Sequence, residues 1–490
     1  MFVLRGRIDR AAAATILSMS GARDVAFEGM RSEGGRWLLD AVHFRDATSN
    51  ISVDAQTAGI GLDWRGARPF ITLSLVRPHL TISASTTPAL EGLARTALHA
   101  PPVGRGLHVE IFGATVEVLG LRSRPIVVDQ VAGTIDNGLR RLTYDLRGKL
   151  LEDGRAYPFA ARADAEGKTV VHRWSASALP AAVVGSVLHA GGIEVRDGLV
   201  GDVAVRFTNG RDLRADGKLS AATVVVDGFA LHGVSGGIAL DHDELATNEL
   251  TGTFDDATVS VRGDTRFADL ALLRELFDNI AGEQHLQTVR LESVAPGVVF
   301  AKYVTRGDEG PLAIHLLDVD PNEPTVRFDT VLAGDHVFSG AERTSSMAAR
   351  TGAIAGINGD YFDIGGTSAP QGLMIRDGAL VHAPTALREA LIVHRDKSFS
   401  FDLFRFHGTA TTSRGTAPIT LFNDWPPGDV AVITPDLGKI PASPNVMFVS
   451  LAGTTTPGRY RVEDVSPLPE RRVATFGLAF GPLVRSKLPR

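Results

Sequence analysis

Alternation of apolar and polar positions dominates the first half of the chain. In "GDVAVRFTNGRDLRADGKLSAATVVVDG", residues 201–228, Val203, Val205 and Phe207 alternate with polar neighbours. The pattern breaks at Asn209-Gly210 and Asp216-Gly217 and resumes through Val224 and Val226. Period-two alternation bounded by Asn-Gly or Asp-Gly predicts half-buried strands joined by tight hairpin turns. The same punctuation at Asn137-Gly138, Asp153-Gly154, Asp197-Gly198 and Asp227-Gly228 extends the prediction to a β-meander over residues 20–265. Three segments, 86–98, 178–189 and 266–281, have helical spacing instead. The last sets Phe267, Leu270, Leu273, Leu276 and Ile280 on one stripe, as expected of a helix covering a sheet face. Gly282 ends that helix and strand texture resumes after Pro296, so a boundary is expected near 282–295, dividing the chain into 1–285 and 286–490.

From residue 297 the pattern becomes strand, turn, helix, strand. "LAIHLLDVDP" (312–321) reads as a buried strand stopped by Pro321. "GAERTSSMAARTG" (340–352) reads as a short helix with Glu342 in its first turn and Gly352 as its stop. "AIAGI" (353–357) reads as a small-residue strand, and "VHRDKSFSFDLFRF" as a hairpin through Asp396-Lys397. The fold class expected is α+β, predominantly β: a glycine-punctuated β-repeat region with short helices, then a mixed α+β domain.

Composition narrows the function classes. The chain has 490 residues, too many for one core, and a formal charge of −6, which offers no concentrated basic surface for nucleic acid. It contains no cysteine, so disulfides, thiol catalysis and thiolate metal ligands are excluded. The start, "MFVLRGRIDRAAAATILSM", has a short apolar run and an acidic Asp9, which suits a capped surface helix better than a leader peptide. No run of about 18 apolar residues is present to span a membrane as a helix.

The candidate chemistry lies in "GINGDYFDIGG" (356–366). Asn358-Gly359 after an apolar stretch is a type I′ turn signal. Two carboxylates, Asp360 and Asp363, flank the rings of Tyr361 and Phe362, and Gly365-Gly366 adds a second backbone irregularity, which together suit a bend beneath a ligand. Asp360 and Asp363 could supply negative charge or a base. Asn358 can bond sugar hydroxyls through both ends of its amide. Tyr361 and Phe362 offer a sugar-stacking face or core packing. Gln371 and Gly372 follow on the same side, and Arg376 is either a phosphate holder or a solvated cation. His382 and His394 lack acidic companions, so no metal site is expected and no cofactor is indicated.

These residues carry a family resemblance. "GAIAGINGDYFDIGGTSAPQGLMIRDGAL" (352–380), flanked by "LLDVDPNEPTVRF" and "TLFNDWPPGDVAVITPDLG" (420–438), resembles the phosphodiester glycosidase family of uncovering-enzyme type over residues 292–490. The resemblance implies hydrolysis of a sugar-1-phosphodiester at its C1–O bond, with a carbohydrate or glycolipid substrate. It implies catalytic roles for Asp360 and Asp363, and substrate contacts for Asn358, Gly359, Tyr361, Phe362, Gln371, Gly372 and Arg376. The family's later Asp-glycine-Ser signature is not found. The chain ends at "ATFGLAFGPLVRSKLPR", which reads as a truncation leaving an open sheet edge. The first half is similar in texture to the AsmA and TamB group of bacterial envelope proteins, as in "LTGTFDDATVSVRGDTRF" (250–267). That similarity implies a cell-envelope, periplasmic or extracellular setting and association with lipid or a membrane surface. The alternative function is a non-catalytic envelope β-scaffold binding lipid or polysaccharide.

Overall fold

The computed structural model describes residues 12, 13, 15, 23–46, 51–65, 68–83, 106–138, 141–166, 169–188, 193–208, 211–226, 228–242, 244–283, 285–359, 361–364, 366–384 and 386–489. Outside them lie Asp360, Gly365, the helix expected at 86–98, the Asn209-Gly210 turn, Asp227 and most of the N-terminal helix, of which residues 12, 13 and 15 are helical. The protein is mostly strand with a few short helices. It forms two compact units, Met1–Asp320 and Pro321–Arg490.

The first unit is a single extended sheet. Its strands are β1 Arg23–Ala26, β2 Gly29–Glu33, β3 Arg36–Asp46, β4 Ile51–Arg65, β5 Arg68–Ser83 and β6 Gly106–Leu119. The sheet continues through β7 Ile126–Gly138, β8 Arg141–Glu152, β9 Arg155–Glu166, β10 Thr169–Pro180, β11 Ile193–Val195 and β12 Leu199–Thr208. It finishes with β13 Arg211–Val226, β14 Phe229–Asp241, β15 Glu244–Phe254, β16 Ala257–Arg266, β17 Leu286–Ala295, β18 Val298–Gly307 and β19 Gly310–Val319. Most strands pair antiparallel with the next, while β1 pairs with β3, β10 with β12 and β11 with β13. Asp153-Gly154 is the tight turn between β8 and β9, with φ of 47° and 73°.

Two pairings are parallel, β5 with β6 and β16 with β17. Parallel pairing requires a crossover. After β16 the chain passes through a 3₁₀ turn, Phe267–Asp269, and a helix, Leu270–Ala281. The shorter helix α1, Ala181–Leu188, follows β10, so the helix after β16 is α2. α2 buries Leu273, Leu276, Phe277 and Ile280 against Val259, Val289, Leu291 and Val299. Phe267, expected on that stripe, is 38% exposed, since it falls in the 3₁₀ turn, and Phe277 takes its place.

Interruptions to register cross the sheet. Strand registers shift around Gly113, Gln130, Asp202, Ala221 and Gly233, each with positive φ. Such bulges bend a strand and increase its local twist. Asp216-Gly217, expected as a turn, lies inside β13, where Asp216 and Lys218 pair on both sides and Gly217 pairs with Ile238 of β14 opposite the register shift in β12. The division expected at 285/286 falls within the connection to β17. β17 pairs with β16, and β18 and β19 extend the same sheet, so the first unit continues to Asp320.

After a 3₁₀ turn, Ala333–Asp335, the second unit contains helix α3, Thr344–Thr351, and β20 Met374–Arg376, β21 Ala379–His382, β22 Arg388–Val393 and β23 Phe399–Phe404. Next come β24 Gly408–Thr412, β25 Gly415–Phe422, β26 Val430–Ile433 and β27 Lys439–Ile440. The last strands are β28 Ser443–Gly453, β29 Tyr460–Leu468, β30 Arg472–Val473 and β31 Gly477–Phe480. Six of these form a sheet in the order β24-β25-β26-β31-β28-β29. β31, the strand expected to leave an open edge, is paired on both sides, by β26 and β28. Gly477 is required there: a Cβ would meet the Val449 carbonyl oxygen at 2.3 Å and the Phe448 ring at 2.5 Å. Phe448, Ile433, Leu437, Ile440 and Leu468 are fully buried beneath it.

Candidate functional site

The segment leading into the box departs from the sequence expectation. Helix α3 stops at Gly352, whose φ of 73° is the left-handed conformation that glycine accepts without strain. Residues 353–359 then run without a strand partner, so "AIAGI" is not a strand, and Ile354 and Ile357 are 61% and 77% exposed. The helix begins at Thr344, later than expected, which puts Glu342 ahead of it. "LAIHLLDVDP" does form a strand, β19, but its residues are exposed or half-buried and it belongs to the first unit.

Asn358 and Gly359 are both exposed and neither has a positive φ, so they do not form a type I′ turn, which needs positive φ at both positions. The bend comes a few residues later. Phe362 bridges Pro370, Asp363 N–H donates to Ala369 O at 3.0 Å, and Gln371 N–H donates to Tyr361 O at 3.0 Å. This closes 361–371 into a hairpin loop. The Asp363 carboxylate braces its tip, accepting from Thr367 N–H at 2.7 Å and Thr367 Oγ1 at 3.0 Å. These two bonds, the backbone one first, hold its pKa below the usual carboxylate range, so Asp363 is an ionised group suited to charge stabilisation and not to proton donation. Gly366 is the position that admits this brace. A Cβ there would lie 2.1 Å from Asp363 Oδ2.

The remaining predicted residues fall around the loop. Tyr361 is 77% exposed and Phe362 38%, so neither ring is core. Gln371 is exposed, its Oε1 accepting from Arg388 Nη2 at 3.0 Å. Gly372 is buried; its carbonyl accepts from His382 Nδ1 at 2.7 Å, which makes the fully buried His382 a structural support. Arg376, on β20, is half-buried, with Nε and Nη2 shielded from solvent and without a hydrogen-bond partner. Its charge contributes to lowering the Asp335 pKa, an effect dominated by the Arg350 hydrogen bond.

Arg350 is a centre the motif reading missed. It donates to Asp335 at 2.6 Å, to both Glu342 oxygens and to Leu332 O. Glu342 also accepts from Ser346 Oγ and Gly334 N–H. With Arg350 as the largest cause, its pKa falls to about 2. The spacing 342, 346, 350 is the i, i+4, i+8 signal of one helical face, and could have revealed the cluster. Asn423 was also missed: fully buried, it donates to Val381 O and Thr434 Oγ1 and accepts from Thr434 N–H.

Among the described residues no group of three or more His, Asp or Glu is placed to hold a metal ion, and no helix is long and apolar enough to cross a membrane. Cavities of about 730 and 540 Å³ lie in the first unit, and no box residue lines either.

No family model matches the chain. No curated protein matches it. Among solved structures, a hypothetical protein from Synechocystis aligns over 75% of this chain and 71% of its own, at 12% identity and a TM-score of 0.35. That score is too low to support an argument about fold or function.

Proposed function

We propose that the second unit hydrolyses sugar-1-phosphodiesters, with the 356–372 segment as its saccharide-contacting surface. The observation that carries this reading is the braced hairpin loop. It holds an ionised carboxylate, Asp363, and two exposed rings, with the exposed Asn358 just ahead of it in the chain. In the reaction C1–O breaks, the bridging oxygen leaves on phosphorus, and water supplies hydroxyl to C1 and a proton to the phosphomonoester. Phosphate is a good leaving group, so the protein's main tasks are to stabilise an oxocarbenium-like centre and to orient the sugar. Asp363 would face the developing positive charge, Asp360 would activate water, and Tyr361 would stack on the ring. Asn358 and Gln371 would bond hydroxyls beside Gly359 and Gly372. Arg376 would supply positive charge towards the phosphate, its Nε and Nη2 being shielded from solvent.

A second reading, a non-catalytic envelope scaffold that binds saccharide or lipid, is favoured by the engagement of the Asp363 carboxylate with Thr367. Incubation with a sugar-1-phosphodiester, measuring released sugar and phosphomonoester, separates the two. Turnover that falls by about 10²-fold or more in Asp363→Asn supports hydrolysis. Saccharide or lipid binding without turnover supports the scaffold. Turnover unchanged in Asp363→Asn, Asp360→Asn and Asn358→Ala removes the proposed site.

A further inference from the structure

The sequence contains three Asn-Gly pairs, Asn137-Gly138, Asn209-Gly210 and Asn358-Gly359. All three share one latent reaction: the backbone nitrogen of the glycine can attack the side-chain carbonyl of the asparagine before it. Glycine has no Cβ to cover that nitrogen or to restrict the rotation that brings it round. The fold separates the pairs it describes. Asn137 is paired on both sides, with Leu107 of β6 and Leu142 of β8, and Gly138 is paired with Arg141. An extended strand points a side chain out of the sheet and away from the following nitrogen, and a ladder on both sides holds it so. Asn209-Gly210 lies outside the described residues.

Asn358-Gly359 is placed differently. Both residues are exposed and belong to the run 353–359, which has no strand partner. Neither makes a hydrogen bond or ion pair among the described residues. A Cβ added to Gly359 would meet nothing within 4 Å, so the space around the attacking nitrogen is open. The amide and the nitrogen that attacks it therefore lack the restraint that protects Asn137.

We infer that Asn358 is a site of spontaneous covalent modification, converting through a succinimide to aspartate and isoaspartate. Hydroxide takes the Gly359 N–H proton, and the nitrogen attacks Asn358 Cγ. The Cγ–Nδ2 bond breaks, ammonia leaves with a proton returned by water, and a five-membered ring closes. Water then opens the ring, giving its hydroxyl to the new carboxyl group and a proton to the ring nitrogen. Addition at Cγ yields aspartate. Addition at the Asn358 main-chain carbonyl carbon yields isoaspartate, with the chain routed through the side chain. Either product puts a carboxylate where the amide stood, close in sequence to Asp360 and Asp363. The reaction needs only water and is independent of the hydrolysis proposed for the second unit.

Incubation of the full chain in mildly alkaline buffer, followed by tryptic mass spectrometry with chromatographic separation of isoaspartyl peptides, tests it. Peptide 351–376 holds Asn358 as its only asparagine, and peptide 123–140 holds Asn137 in the same way. Isoaspartate is expected to accumulate at 358 about tenfold faster than at 137, or more, because the ladder must open before Asn137 can cyclise. In denaturant, where that protection is gone, the two rates are expected to converge. Gly359→Ala meets no neighbour and replaces a residue outside the left-handed region, so the fold accepts it. Its Cβ is expected to slow conversion at 358 about fivefold or more. Thermal melts establish that the variant is folded. Absence of isoaspartate at 358, equal rates at 358 and 137 in the folded chain, a difference that persists in denaturant, or an unchanged rate in Gly359→Ala overturns the inference.

Discussion

At the scale of single residues, burial and hydrogen bonding set the charge states. His172 is 1% exposed, stacks on Phe207 at 4.4 Å, and bonds through Nδ1 to the Tyr144 hydroxyl, which accepts from Trp174 Nε1. Burial lowers its pKa, so the fold favours the neutral ring. Above the ordinary histidine pKa of about 6.5 both folded and unfolded chains are neutral there and no penalty arises. As pH falls below it the unfolded chain takes up a proton first, and stability falls. Melting temperature should therefore drop as pH falls below about 6.5, and His172→Phe should flatten that part of the profile. Glu342 loses stability in the same direction at lower pH, although there the fold favours the charged form. Its lowered pKa stabilises the fold above the ordinary glutamate value of 4.5, and that contribution is lost as pH falls towards about 2. Glu342→Gln should remove the acid-dependent loss in this window, read as melting temperature against pH. A third expectation concerns Gly366→Ala. The added Cβ displaces the Asp363 carboxylate from Thr367, so the Thr367 amide should exchange with solvent faster than in the wild type. Unchanged exchange would show that the loop is held by other bonds.

At the scale of elements, the legible features were those with a strong local cause. The stripe at 266–281 gave α2, and Gly352 gave the end of α3, because periodicity and left-handed φ are written locally. Truncating Ile280, the fully buried residue on the core face of α2, should cost about 2–5 kcal/mol by denaturant unfolding. "AIAGI" was misread because small apolar residues suit a strand only where a partner strand exists, and none pairs there. Asp216-Gly217 was misread as a turn for the converse reason: β12 and β14 pair through it, and that ladder outweighs a local turn preference. The hairpin through Asp396-Lys397 forms as expected, with Lys397 at φ 65°. Its alternating Phe399, Phe401 and Leu403 are 45%, 77% and 55% exposed, which alternation by itself cannot foretell.

At the scale of the whole molecule, each unit has its own hydrophobic clusters, the first around α2 and along β3–β5, the second around Phe448 and β31. Calorimetry should resolve two transitions, and Phe448→Ala should lower one by about 3–5 kcal/mol in stability while leaving the other in place. Equal movement of both would show a single cooperative fold. By itself the sequence determined the β-rich class, the antiparallel meander and the position of α2, since alternation, turn chemistry and helical periodicity act over a few residues. It also marked the 356–366 box as unusual. Only the tertiary structure decided that the first sheet runs on to Asp320, that β31 lies between two partners, and that the box is an exposed loop braced by Asp363. The physical reason is that strand neighbours, bulge positions and solvent exposure depend on which distant segment arrives alongside, and no local pattern specifies that arrival.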